Sequence, residues 1–432
     1  MTMKRWGGLA ALVLAVGSAA GAAAQDVTAI RAGRLIDVAR GEMRRDQLII
    51  VRGERIESVQ PGATRIPAGA RVMDLSRHTV LPGLIDSHAH LIGEVGLADV
   101  LLPLQRSGAQ EAFSGVRNAR ATLLAGFTTV RDIGTYRAFV DAALREAIED
   151  GTVFGPRMAV AGAYITVTTG AGELVGAAND VTVPAEFRFG VANSVEQVRE
   201  RVRALLNGGA DFIKILATGA VLTRGTKPGV SEYTEAELRA AVEQAAEYGA
   251  FVAAHAHGAE GIKRAVRAGV RSIEHGSLMD DEAIALMRER GTWLVADIYN
   301  GDYIATVGRE QKWPEEFLRK NDETTAAQRV GFRKAVAAGV KIAYGTDSGV
   351  YPHGLNARQL PYMVRYGMTP MQAIQSATIS AAQLMGWDDR IGSLTPGKYA
   401  DIIAIEGDAL ADLARFEKVP FVMKGGVVHK EP

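Results

Sequence analysis

Cysteine is absent from all 432 residues. That excludes disulfides, thiolate metal ligands and a cysteine nucleophile, so any bound metal must be held by histidine, carboxylate or a modified lysine. A charge excess is also lacking: 49 basic residues face 49 acidic ones. Neither a nucleic-acid partner nor a like-charge disordered tail is indicated. Beyond the extreme N-terminus no apolar run reaches about 18 residues, which argues against a membrane partner for the rest of the chain. A Gly-x-Ser-x-Gly elbow is missing, so nothing marks a serine nucleophile.

What is present is an ordinary globular composition, 47% hydrophobic and 23% charged, with enough apolar residues for a large core. Residues 1–24 read as a signal peptide. Lys4 and Arg5 form the positive start, Leu9 to Val16 a short apolar stretch, and Ala22-Ala23-Ala24 a small-residue cleavage site before Gln25. The expectation is a periplasmic or secreted chain, with no membrane association once that segment is removed.

The two ends share a short-strand pattern. Residues 29–37, 47–51 and 55–59 near the N-terminus, and 401–405, 421–423 and 427–429 near the C-terminus, alternate apolar and polar residues around glycine turns. They predict one small β-sandwich made from residues 25–81 and 390–432, because chain ends commonly lie close together. Between them, in 82–389, short apolar strands alternate with amphipathic helices. The strand candidates are 83–87, 128–131, 158–161, 212–216, 251–254, 271–274, 293–297 and 341–344. Gly126, Gly249, Gly269, Gly291 and Gly339 follow the helical stretches as caps. Repeated helix, glycine and strand indicate βα units with a parallel sheet. The fold class is therefore α/β, a (β/α)₈ TIM barrel carrying the terminal sandwich, with a doubly wound open sheet as the rival.

Residues able to bind metal recur at the C-terminal ends of these strands, where barrel enzymes keep their active sites. His88 and His90 lie two apart in an extended chain and so face the same way. His255 and His257 repeat that spacing, and His275 and Asp347 end two later strands. Lys214 sits among Phe212, Ile213, Ile215 and Leu216, and a buried ammonium needs a reason. It is either paired with a carboxylate or desolvated, neutral and able to take up carbon dioxide as a carbamate. Five of the eight histidines fall at strand ends. His78, His353 and His429 lie outside the pattern, although His353 follows the last strand closely enough for a substrate-loop role.

Together these motifs resemble the amidohydrolase superfamily. The resemblance rests on Val80-Leu81-Pro82-Gly83-Leu84-Ile85-Asp86-Ser87-His88-Ala89-His90, Gly126-Phe127-Thr128-Thr129-Val130-Arg131-Asp132 and Lys214. It continues in Ala254-His255-Ala256-His257-Gly258, Glu274-His275-Gly276, Gly345-Thr346-Asp347 and the closing 392–401 stretch. Within the superfamily the chain is most similar to the imidazolonepropionase-like branch, which holds Xaa-Pro dipeptidases, N-acyl amino acid hydrolases and ochratoxin-degrading amidohydrolases. The resemblance implies two divalent cations, zinc in the usual form. His88, His90 and Asp347 would hold one, His255 and His275 the other, and carboxylated Lys214 would bridge them. Asp347 would also act as the proton carrier, while His257 would polarise the substrate carbonyl. The implied substrate is a small-molecule amide or peptide, cleaved to release a C-terminal amino acid. Such relatives commonly form homo-oligomers. Two rivals stand beside this reading: a cyclic-amide hydrolase or deaminase on the same barrel, and a non-catalytic scaffold. One departure is visible, since Ala171 occupies the position where relatives often place a histidine after the third strand.

Overall fold

The computed structural model describes residues 27–93, 101–178 and 180–432. The expected signal peptide, 1–24, lies outside the described residues. Both chain ends do meet. The first strands are β1 (Val27–Asp37), β2 (Glu42–Arg52), β3 (Arg55–Pro61) and β4 (Arg71–Pro82). They join the last three, which follow the central region, in a seven-stranded sheet.

The sheet departs from the expected two-layer sandwich. β4 runs parallel to β1 on one side and pairs antiparallel with Ile402–Glu406 on the other, so hydrogen bonding is continuous from edge to edge. The sheet closes on itself through Ile56 N–H to Lys398 C=O and Ala400 N–H to Glu54 C=O. Ile49 and Ile56 from one flank and Ile402 and Phe421 from the other therefore share one apolar core. A single curled sheet performs the burial that two stacked sheets were expected to perform.

The central region holds parallel strands. These are β5 (Leu84–Ala89), β6 (Phe127–Asp132), β7 (Arg157–Val160), β8 (Tyr164–Ile165), β9 (Ile213–Leu216), β10 (Val252–Gly258), β11 (Ser272–Leu278) and β12 (Trp293–Val295). They form one sheet in the order β5-β6-β7 and another in the order β12-β11-β10-β9-β8. Nearly every residue of β5, β6, β9, β10 and β11 is buried, as expected of parallel strands covered on both faces. The chain passes from the terminal sheet into β5 through Gly83, where an added Cβ would lie 2.1 Å from the Thr128 hydroxyl. The helices begin and end as their sequences direct. Thr234 and Glu237 make a capping box for helix Glu235–Ala246, and all five anticipated glycine caps have positive φ.

Seven of the eight expected central strands appear within a few residues of their predicted limits. The eighth, 341–344, does not form a ladder. It makes single bridges, Ile342 to Leu294 and Ser348 to Ala89. The reason is local: the Tyr344 N–H donates to the Ser376 carbonyl at 2.9 Å and the Ile85 N–H donates to the Ala377 carbonyl at 2.7 Å. The end of helix Pro370–Ser376 thus takes the bonds that a continuous ladder would use. The last three strands, β13 (Ile402–Glu406), β14 (Phe421–Lys424) and β15 (Val427–Lys430), complete the terminal sheet. No helix among the described residues is long and apolar enough to cross a membrane.

Candidate active site

His88 sits at the end of β5, and His90 just beyond it. Both face a carboxylate: His88 Nε2 is 3.4 Å and His90 Nε2 3.2 Å from Asp347 Oδ1. Asp347 is delivered by a left-handed turn, at φ 57°, pinned where the Thr346 and Asp347 N–H groups donate to the His88 carbonyl. His275 is also left-handed, at φ 70°. Two non-glycine residues in that region within one site store strain that the surrounding packing must hold.

Beneath them lies a buried charge relay. Arg131 is fully buried and donates to Ser87 C=O, to the Ser272 hydroxyl and to Glu274 Oε1, the last at 2.7 Å. Glu274 Oε2 is 2.8 Å from His88 Nδ1. Burial alone would raise the Glu274 pKa, but Arg131 and His88 reverse it and keep the carboxylate charged below its ordinary range. Asp86 takes hydrogen bonds from Thr346, Asn356 and the His88 N–H, while burial pushes its pKa up to about 6.

On the other wall, His255, His257 and His275 stand with ring centroids 4.6 to 4.8 Å apart. The His88 ring is 4.8 Å from His275, so the two groups adjoin. Burial, then the neighbouring imidazoles, hold His255 well below its usual pKa and bring His257 down to about 3. Both are neutral, the form that binds metals. Asp297 Oδ1 is 3.1 Å from His275 Nδ1.

Each imidazole has one nitrogen tied to the protein. His88 Nδ1 meets Glu274, His90 Nδ1 the Gly134 carbonyl, His255 Nε2 the Gly219 carbonyl, His257 Nδ1 the Ser277 hydroxyl, and His275 Nδ1 Asp297. Against a carbonyl or carboxylate that nitrogen must donate, which leaves the other as a lone-pair donor. This is the outer-shell arrangement of metal-ligating histidines. Three groups could hold an ion: His88, His90 and Asp347; His255, His257 and His275; His275, Asp297 and Asp347. Imidazole and carboxylate with no thiolate suit a cation such as zinc. Lys214 is buried on the same cavity. Burial brings its pKa down to about 8, against the opposing pull of Glu274 and Asp347.

All seven residues singled out in the sequence, His88, His90, Lys214, His255, His257, His275 and Asp347, line this one cavity. His353 does not. Its Nε2 is 2.9 Å from the His90 carbonyl and its Nδ1 is near Thr122 and Ser348, so it braces the His90 backbone rather than facing the cavity. Ala171 does line the wall. Three contributors went unmarked in the sequence. Asp297 follows the seventh strand, where the strand-end rule applied to Asp347 points to it. Arg131 and Asn300 carry no such signal, since their role depends on partners far away in sequence.

The family model for the amidohydrolase family matches residues 79–428. The chain is 35% identical over 433 aligned residues to an ochratoxinase of Aspergillus niger, covering 94% of this chain and 87% of that protein. Among solved structures, a Xaa-Pro dipeptidase with methionine bound in its active site aligns with a TM-score of 0.88 at 39% identity, covering 94% of this chain and 100% of that one. The A. niger ochratoxinase structure aligns at TM-score 0.82 and 32% identity, covering 94% and 96%. Strand-end ligand groups and these likenesses agree: the chain belongs to the amidohydrolase family and is a hydrolytic enzyme acting on amide bonds.

Proposed function

We propose that this enzyme is a binuclear metal hydrolase that releases a C-terminal amino acid from dipeptides or N-acyl amino acids, with ochratoxin A among the candidate substrates. The carrying observation is that two separate ligand groups adjoin across Lys214 and Asp347 in one cavity. His88, His90 and Asp347 would hold one cation, and His255 and His275 the other. Lys214, carboxylated, would bridge them, a modification favoured by its desolvated amine. Zinc is the proposed metal; when bound, such ions lower the pKa of a shared water to near neutrality. Asp347 is placed to accept the proton of the attacking water and to return it to the leaving nitrogen. His257, held by Ser277 and neutral, offers an N–H to the oxygen that gains charge.

The parallel strands are proposed to close as an eight-stranded barrel through the bridges of Ile342 and Ser348, with residues 82–389 as the catalytic unit and 25–81 plus 390–432 as the second. Export by the N-terminal segment and assembly as a homo-oligomer belong to the same proposal. A mononuclear deaminase has no use for a buried lysine between two ligand groups, which favours the hydrolase reading.

The test is a panel of N-acyl amino acids and dipeptides assayed with wild type and Lys214→Ala. Loss of at least about a thousandfold in the variant, with partial recovery in added short carboxylic acids, is expected. Equal rates in variant and wild type would overturn the bridging role.

A further inference from the structure

Asn300 opens the short helix Asn300–Tyr303 after β12 and lines the cavity while only 4% exposed. Its amide nitrogen is committed twice, to Asp297 Oδ2 and to Asp347 Oδ2, each at 3.1 Å. Carboxylates only accept, so the amide cannot be turned over without setting its oxygen against two anions. The oxygen is thereby fixed on the side away from both carboxylates. There Oδ1 is buried and has no protein partner among the described residues. A buried acceptor left unpaired costs about 1–3 kcal/mol, a cost that a bound donor would remove.

We infer that Asn300 Oδ1 accepts the N–H of the scissile amide, so that this enzyme selects secondary amides over tertiary ones. The inference rests on the amide-hydrolase reading above, and specifically on Asp347 as the group that protonates the leaving nitrogen. A nitrogen within reach of Asp347 lies beside the Asn300 amide, because the two side chains are hydrogen-bonded. During hydrolysis the C–N bond breaks, a C–O bond forms from water, and the leaving nitrogen keeps its N–H and gains one proton. Asn300 neither gives nor takes a proton. It holds the N–H on one side and so turns the nitrogen's developing lone pair towards Asp347. A peptide bond to proline has no N–H to offer, and the same holds for any N-methyl amide.

The decisive comparison uses an N-acyl amino acid and its N-methyl counterpart, which differ by that one N–H. In wild type, kcat/KM is expected to favour the N–H substrate by about 10- to 100-fold. In Asn300→Leu, which removes the acceptor but keeps the volume, the ratio should fall close to one. A purely structural role would lower both substrates together and leave the ratio unchanged. A second arm reads binding without turnover, by calorimetry of uncleaved N-sulfonyl amino acids with and without the N-methyl group. The N–H analogue should bind wild type more tightly by the same factor, with that preference lost in the variant. Equal wild-type affinities for the two analogues would overturn the inference, even if the fold of Asn300→Leu were compromised. Cleavage of neither substrate, with the binding preference intact, would count against the hydrolase reading and leave Asn300 as an N–H acceptor.

Discussion

The terminal sheet and the strand-end cavity use burial in opposite ways. In the sheet, Ile30, Ile49, Leu75, Ile402 and Phe421 meet only other apolar side chains, and backbone hydrogen bonds run from strand to strand. In the cavity, Asp86, Lys214, Glu274 and five histidines are removed from water, and His275 and Asp347 adopt backbone conformations that cost free energy. The first region lowers the free energy of the fold. The second draws on that stability to hold charges and lone pairs where water would otherwise scatter them. Sites that break local rules in this way are where function is expected to reside.

This contrast can be broken by substitution, and the largest effect should come from the cavity. Asp347→Asn keeps the shape but removes the proton carrier and an anionic ligand. Turnover should fall by roughly a thousandfold or more, about 4 kcal/mol in activation free energy. Steady-state assays beside circular dichroism check it, and undiminished turnover would remove Asp347 from the chemistry. Phe421→Ala in the sheet should do the reverse. Cavity creation should lower stability by about 3–5 kcal/mol while kcat/KM per folded molecule stays unchanged. Should this substitution also abolish turnover, the two regions would be one mechanical unit rather than two.

A smaller effect should appear at Glu232, which lies outside the ligand groups. Both of its carboxylate oxygens are 3.0 Å from the Ala171 N–H, tying down the cavity wall. Burial raises its pKa from an ordinary 4.5 to about 7, against the lowering effect of that hydrogen bond. The folded state therefore holds the proton more tightly than the unfolded chain does. Stability from this group is full below pH 4.5 and declines as the pH rises towards 7. Glu232→Gln keeps an acceptor and cannot ionise, so its melting temperature should exceed that of wild type above pH 7 and match it near pH 4.5. Thermal scans at the two pH values decide, and a pH-independent difference would contradict the assignment. Smallest of all is the exposed Arg52–Glu57 pair at 2.7 Å: replacing both by Gln should move stability by less than about 0.5 kcal/mol.

Much of this division was legible in the sequence, for physical reasons. Period-two alternation with glycine turns marked the terminal strands, and helix, glycine cap and apolar strand marked the central ones. Strand-end position plus chemical type was enough to pick His88, His90, Lys214, His255, His257, His275 and Asp347. What stayed hidden depends on partners distant along the chain. That β4 would join both ends into one curled sheet follows from its pairing with Ile402–Glu406, which no local pattern encodes. The interrupted last strand reflects carbonyls of Ser376 and Ala377 some thirty positions downstream. Arg131 reads locally as one more strand residue until Glu274 and Ser272 are brought to it. His353 misled for the same reason, because nearness in sequence to Asp347 did not predict its turn towards the His90 carbonyl.

Whether the cavity is a two-cation cage is tested most directly by elemental analysis of the purified, active enzyme. About two divalent ions per chain are expected, dropping when Lys214 is replaced by alanine. Full amide hydrolysis by protein carrying none would contradict the reading outright.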